Sequence, residues 1–299
     1  MKKIFIVMVM GLFLLSCSNR KRENILTVEE MKIPYSMVEQ SIDLDDSMSL
    51  DLFLQSGFDP NYKNENGETL LMYTVKSNSF KSLKILLEYD VNLETETSLE
   101  EIEGTTAHKA KKRAIDYVKS KKILDILIDE GADIDYINNL GEPLIIKFIK
   151  EKPDTYTKEL ILKGAKLDVT DSEKWTPLMW AASKNDLELV KELIANGADI
   201  NRVDSRKNLA IYYAYDELII QELLTPEMDK RYKNKDGENV LGEVYLRAIS
   251  NSYYDIVEKI IKLGGDKNYS SYGDTPLGIA RENKDEKMIE LLKSLGVEK

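Results

Sequence analysis

Polar and apolar positions divide this chain into three kinds of stretch. The first is an apolar run from Ile4 to Leu15 behind Lys2 and Lys3. At about 12 residues it is too short for a membrane-spanning helix of about 20, and it has the layout of an export signal. The second is polar, Ser18 to Glu23, with three basic residues. The third occupies the rest of the chain, where short apolar clusters alternate with polar punctuation and predict paired helices. Residues 171–201 show the pattern most clearly. Thr176 is placed to cap a helix, and Pro177 sits at its first turn, where a missing amide costs nothing. Ala181 and Ala182 let a second helix approach closely, and Val190, Leu193 and Ile194 supply that helix with an apolar stripe. Gly197 suits the left-handed residue that ends it, and Asp199 with Asn201 favours a turn. Nearer the start, Thr27-x-x-Glu30 and Ser36-x-x-Glu39 have the form of capping boxes. They predict short helices within residues 27–40, interrupted at Pro34.

The same signatures recur at a fixed spacing. Gly131-Ala-Asp-Ile-Asp135 returns as Gly164-Ala-Lys-Leu-Asp168 and as Gly197-Ala-Asp-Ile-Asn201, 33 residues apart each time. Thr176-Pro177-Leu178 returns 99 residues later as Thr275-Pro276-Leu277, three times the same period. Periods of this size mark repeat architectures. These residues resemble the ankyrin repeat, with its Gly-x-Thr-Pro-Leu-x-x-Ala opening and Gly-Ala-Asp-x-Asn close. The resemblance implies an all-α repeat fold, an ankyrin solenoid of helix-turn-helix units with short hairpin-like tips. Units begin near Asn64, Ala110, Asn138, Asp171, Asp204, Asn234 and Ser270, which gives about seven, and a partial unit precedes them from Ser47 to Asn61. Asp90 and the segment Thr225 to Asp229 depart from the Gly-Ala-Asp loop. The units around Ile115 and Ile211 have first helices about one turn short. The charge-rich final helix (Lys284, Asp285, Glu286, Lys287, Glu290, Lys293) reads as a cap for the stack.

The export signal ends Leu14-Leu15-Ser16-Cys17, which resembles the bacterial lipobox, and the only cysteine stands where lipidation requires it. The resemblance implies cleavage before Cys17 and a lipid on its thiol. Residues 1–16 then form the signal, 17–40 a tether with leading helices, and 41–299 the repeat domain. Ser18 is not the Asp that retains lipoproteins at the inner membrane of some diderm bacteria. The expected location is therefore the outer membrane.

Composition narrows the chemistry further. With 42 Lys and Arg against 53 Asp and Glu the net charge is −11; loss of Lys2 and Lys3 with the signal makes it 40 − 53 = −13. This offers no general attraction to nucleic acid. One Cys and one His exclude a Cys/His zinc cluster and a disulfide framework. Glycine-rich phosphate loops and the Gly-x-Ser-x-Gly turn are absent from the sequence, so neither an enzyme nor a cofactor or small-molecule substrate is expected. The insertion at about 94–113 changes sign midway, from Glu94, Glu96, Glu100, Glu101 and Glu103 to Lys109, Lys111, Lys112 and Arg113. It reads either as a solvated insertion or as a projecting recognition loop. His108 within it has no companion ligand and reads as a surface residue.

The resemblance also implies a binding scaffold whose concave face is built from tips and first helices. Both tryptophans, Trp175 and Trp180, fall at variable positions of that face. Counting along the units puts Tyr73, Ile146, Tyr213, Glu243 and Ile279 at the place of Trp180. Rigid aromatics are frequent binding anchors, so Tyr73, Ile146, Trp175, Trp180 and Tyr213 are the expected contacts for a protein partner. The bland alternative is that these side chains pack against one another between units. Function is thereby expected to be a lipid-anchored scaffold in a bacterial envelope. A self-associating spacer is the alternative, and a metal-binding or enzymatic accessory protein is the remoter one. Nine of the sixteen tyrosines follow residue 211, which reads equally as a second adhesive surface or as compositional bias.

Overall fold

The computed structural model describes residues 33–98, 110–151 and 154–298. The expected signal, Cys17, the Thr27 capping box and the middle of the insertion, including His108, lie outside them. Among the described residues, fourteen α-helices and two short 3-10 helices follow one another, and β pairing is confined to isolated bridges. The chain divides into two compact units, Met1–Ala132 and Asp133–Lys299.

In the first unit α1 (Tyr35–Asp43) pairs with α2 (Ser47–Gln55), and α3 (Leu70–Lys76) with α4 (Phe80–Leu86). A 3-10 helix, Ala114–Tyr117, then precedes α5 (Lys121–Asp129). Val38, Ile42, Leu50, Leu70 and Leu83 are fully buried between these elements. The capping box expected at Ser36 does not form. Pro34 takes the cap position with φ −64° and ψ 135° and offers no side-chain cap. Its ring presets that φ and it has no amide to satisfy, so the helix starts at once and Ser36 falls inside it. Because α1 packs on α2, the partial unit expected to begin at Ser47 is a full helix pair beginning at Tyr35. Successive pairs are also tied by polar atoms. Asp45, at φ 49° in the turn after α1, accepts the amides of Lys81 and Ser82 at 2.9 Å each. The Ser79 hydroxyl donates to the Ile42 carbonyl at 2.6 Å.

The described ends of the insertion are fastened rather than splayed. The Thr97 amide donates to the Lys112 carbonyl at 2.9 Å, and Arg113 pairs with Glu94 and, at 3.5 Å, with Glu96. The Ser98 amide donates to the Asn66 carbonyl at 3.0 Å, so the insertion crosses the first tip. Gly67 there has φ 73°, and a Cβ on it would lie 2.5 Å from the Ser98 hydroxyl oxygen. Both backbone shape and space require glycine at this crossing.

The second unit holds α6 (Leu144–Glu151), α7 (Asp154–Leu162), α8 (Pro177–Ser183), α9 (Leu187–Ala195), a 3-10 helix Ala210–Tyr213 and α10 (Glu217–Leu223). It closes with α11 (Val240–Ser250), α12 (Tyr254–Lys262), α13 (Pro276–Glu282) and α14 (Glu286–Ser294). Thr176 caps α8 as expected, accepting the Met179 amide at 3.2 Å. Leu178, Met179, Ala181, Ala182, Leu189, Val190 and Leu193 are buried, whereas Ile194 is only partly so. The expected short first helices are the two four-residue 3-10 helices. After α10, Leu224 is extended (φ −85°, ψ 95°), whereas its counterpart Asn196 has φ −95° and ψ 11° and is followed by the left-handed Gly197 at φ 93°. The final helix turns Met288 and Leu292 inward and its charged residues toward solvent.

One side-chain acceptor repeats along the loops. Asp135 accepts the Lys166 amide at 2.8 Å, Asp168 the Asp199 amide at 3.0 Å, and Asn268 the Glu298 amide at 2.9 Å. In the first unit Asn61 does the same for Asn92 at 2.9 Å. Each bond spans one repeat. Asp168→Ala, which leaves the Asp199 amide without this acceptor, is expected to cost about 0.5–1.5 kcal/mol, and Asp168→Asn, which keeps an oxygen there, less than half of that. Urea denaturation of the three proteins checks this, and equal losses for Ala and Asn would contradict it.

Candidate functional site

The tips are built by one recurring interaction. The side-chain oxygen of Asn64 accepts the amides of Asn66 and Glu68, at 3.0 and 2.9 Å. Asn138, Asp171, Asp204 and Asn234 accept the amides two and four residues on in the same way, at 2.7 to 3.1 Å. At Asp171 and Asp204 the second carboxylate oxygen reaches nine residues ahead. The Trp180 indole Nε1 donates to Asp171 at 2.9 Å, and the Tyr213 hydroxyl donates to Asp204. The tip therefore fixes the aromatic residue on the following helix.

Three of the expected contact residues come together in the second unit. Trp175 and Trp180 have ring centres 4.9 Å apart, tilted by 53°, and Trp175 lies 4.2 Å from Tyr213. Tyr212 meets Tyr213 edge-on at 5.5 Å. Each such pair contributes about 0.5–1.5 kcal/mol beyond area burial. All four rings are partly buried, so they pack between repeats and also present surface. Lys150 extends the cluster, its ammonium 4.9 Å from the Trp180 ring centre and 2.6 Å from Glu142. Tyr212, Lys150, Asp171 and Asp204 were not anticipated as members. The nine-residue offset between tip Asp and aromatic was their only signal in the sequence.

Two expected positions fall elsewhere. Tyr73 belongs to the first unit, where its hydroxyl donates to both oxygens of Asp43 at 3.0 Å. Partial burial, reinforced by that carboxylate, pushes its pKa up to about 12. Ile146 is fully buried in the core and presents nothing to a partner. The register of this repeat differs by one residue from the expected one. Pro143 stands at the cap position that Thr69 fills in its own repeat, as the bridges Ile137 to Pro143 and Lys63 to Thr69 show, rather than at the first helical position held by Pro177. The counterpart of Trp180 is consequently Lys147, nine residues beyond the tip residue Asn138. Glu243 and Ile279 keep their expected register, and Glu243 accepts the Tyr269 hydroxyl at 2.7 Å.

The late tyrosines have structural employment. Tyr245 donates to the Lys267 carbonyl, Tyr253 to the Tyr215 carbonyl, Tyr254 to Asp285 and Tyr272 to Glu238, all at 3.0 to 3.1 Å. The last three of these bonds join neighbouring repeats. Among the described residues, no group of His, Cys, Asp and Glu is placed to hold a metal ion.

Comparison with known proteins accords with this geometry. The family described as ankyrin repeats (3 copies) matches residues 42–138 and 111–204, together more than half of the chain. The chain belongs to the ankyrin-repeat family. An ankyrin repeat protein of variola virus is 31% identical over 81 residues, 27% of this chain and 14% of that protein. A putative ankyrin repeat protein of fowlpox virus is 30% identical over 146 residues, 45% of this chain and 42% of that one. Ankyrin repeat and SOCS box protein 5 of Oryctolagus cuniculus is 40% identical over 82 residues, 27% and 24% of the two chains. The aligned part is thus less than half of each relative. Among solved structures, the ankyrin repeat domain of Bcl-3, a member of the IkappaB family, superposes with a TM-score of 0.56 at 17% identity, covering 72% of this chain and 90% of that one. Ankyrin repeats generally serve as scaffolds for binding other proteins, which fits a partly exposed aromatic cluster.

Burial of Tyr213, followed by its bond to Asp204, raises its pKa above the ordinary 10.0. The fold favours the neutral phenol, so the associated stability is complete below that ordinary value and is lost as pH rises through the raised one. The difference between tyrosinate absorbance titrations of the wild type and Tyr213→Phe is expected to place this residue above a free tyrosine. A difference curve centred at the ordinary value would contradict the buried geometry.

Proposed function

We propose that this ankyrin-repeat protein is an exported bacterial lipoprotein. A lipid on Cys17 holds it at a membrane, with the outer membrane as its site, and its repeats capture another protein of the cell envelope through the face around Trp175, Trp180 and Tyr213. The observation that carries the binding part is the aromatic cluster. Two tryptophans and two tyrosines are locked by tip carboxylates and neighbouring rings into a partly exposed patch. Fixed aromatics lose little entropy when a partner covers them, which is why such residues dominate interface energetics. The anchoring part rests on the sequence Leu14-Leu15-Ser16-Cys17 behind a short apolar run. Two or three acyl chains at one cysteine suffice for stable attachment, because each buried methylene contributes about 0.8 kcal/mol.

Two measurements test the halves separately. Cys17→Ser protein is expected to leave the membrane fraction, and retention there would sink the anchor. In a pull-down from envelope extract, Trp175→Ala combined with Trp180→Ala is expected to lower recovery of the main partner by about tenfold or more, since truncating an interface anchor costs about 2 kcal/mol or more. Undiminished recovery by a variant with a wild-type circular-dichroism spectrum would refute the face.

A further inference from the structure

Arg247 on α11 is partly buried and incompletely bonded. Its Nη1 donates to the Tyr212 carbonyl at 2.9 Å, and the guanidinium carbon lies 4.6 Å from the centre of the Tyr215 ring. Nε and Nη2 are shielded from solvent and meet no acceptor at good hydrogen-bonding geometry, the Tyr215 side chain being the polar group that interacts with the guanidinium there. Those two nitrogens share one edge of the guanidinium plane, and that edge is the one that grips both oxygens of a carboxylate. Donors shielded from water without a partner are costly, and native proteins leave few of them.

The same side chain lines a cleft of about 540 Å³ together with Tyr215, Tyr272, Glu243, Asp274 and Glu282. Tyr215 and Tyr272 are 64% and 90% exposed, so both can turn toward a ligand, and movement of Tyr215 opens the guanidinium to the cleft. Three carboxylates around one guanidinium give the cleft a mixed charge. Glu243 is already engaged by the Tyr269 hydroxyl at 2.7 Å. A simple anion would be repelled by the acids, and a simple cation by Arg247. The complement is a ligand carrying both signs side by side.

We propose that this cleft receives a segment of a protein partner in which an Asp or Glu side chain meets the free edge of Arg247 and an adjacent Lys or Arg meets Glu243, Asp274 and Glu282. The inference rests on the reading of the chain as a protein-binding scaffold, and it adds a charge-reading contact distinct from the aromatic cluster.

Short random peptides displayed inside a phage coat protein, and so without a free carboxyl end, are panned on the full-length protein with counter-selection on Arg247→Gln. Enriched sequences are expected to pair an acid with a neighbouring base. Synthetic versions with blocked ends should bind about ten- to a hundredfold more weakly to Arg247→Gln, as befits loss of a charge-assisted hydrogen-bonded pair. Replacing the peptide acid by its amide should weaken binding to the wild type similarly and change little in the variant. Should Arg247→Gln fail to fold, Arg247→Lys keeps charge and stem without the fork and is expected to lose binding as well. Peptides that bind the Arg247 variants as tightly as wild type, or that carry no acid, overturn the proposal. If such peptides are instead lost on Trp175→Ala with Trp180→Ala, the scaffold reading stands and only this cleft is refuted.

Discussion

A single side-chain oxygen at the start of five tips, on Asn64, Asn138, Asp171, Asp204 or Asn234, sets the geometry on which their repeats depend. By accepting the amides two and four residues on, it closes the tip and delivers the next helix at a fixed angle. In energy it is a minor contributor, about 1 kcal/mol per bond, against about 1.5–3 kcal/mol for each fully buried aliphatic side chain. In geometry it decides which apolar faces meet. A helix pair such as α8 with α9 cannot bury its own stripe, so stability comes from neighbours. The loop acceptors Asp135, Asp168 and Asn268 then fasten one repeat to the next.

Features that depend on one residue type at one place were legible in the sequence. Thr176 caps, Gly197 ends a helix with positive φ, and the 33-residue spacing gives the repeat. Features set by register between copies were harder to read. Pro143 and Pro177 look alike in sequence, but one occupies the cap and the other the first turn. That single-residue difference sent Ile146 into the core and left Lys147 where Trp180 stands. The Ser36 box failed for a related reason, since Pro34 starts the helix earlier than the box requires. Both errors arise where two local signals compete and only packing decides between them.

The aromatic patch was half legible. Sequence placed Trp175, Trp180 and Tyr213 on the tip and first-helix side, and the alternatives were a partner surface or packing between units. The rings do pack on one another, and they remain partly exposed, so the two alternatives are not exclusive. A patch that is already ordered pays little further entropy when covered. Invisible in sequence was the support beneath it. Asp171 and Asp204 each divide their two oxygens between backbone amides and an aromatic donor, a dual use that no spacing rule announces.

Irregularity in one repeat explains the character of the next. Around Ile211 the first helix shrinks to a 3-10 turn, Ala210–Tyr213. Shortening a helix leaves carbonyls near its end without the partners that further turns would supply. Tyr212 has such a carbonyl, and Arg247 answers it from α11, the longest helix among the described residues at 11 residues. The guanidinium thereby replaces the missing turn on one side and rests on Tyr215 on the other. Drawn inward by the backbone, it carries its Nε and Nη2 edge out of solvent without providing that edge with an acceptor. The inward turn of Arg247 thus follows from the short helix before it, and a carbonyl already satisfied there would have left Arg247 free to extend into water like other surface arginines.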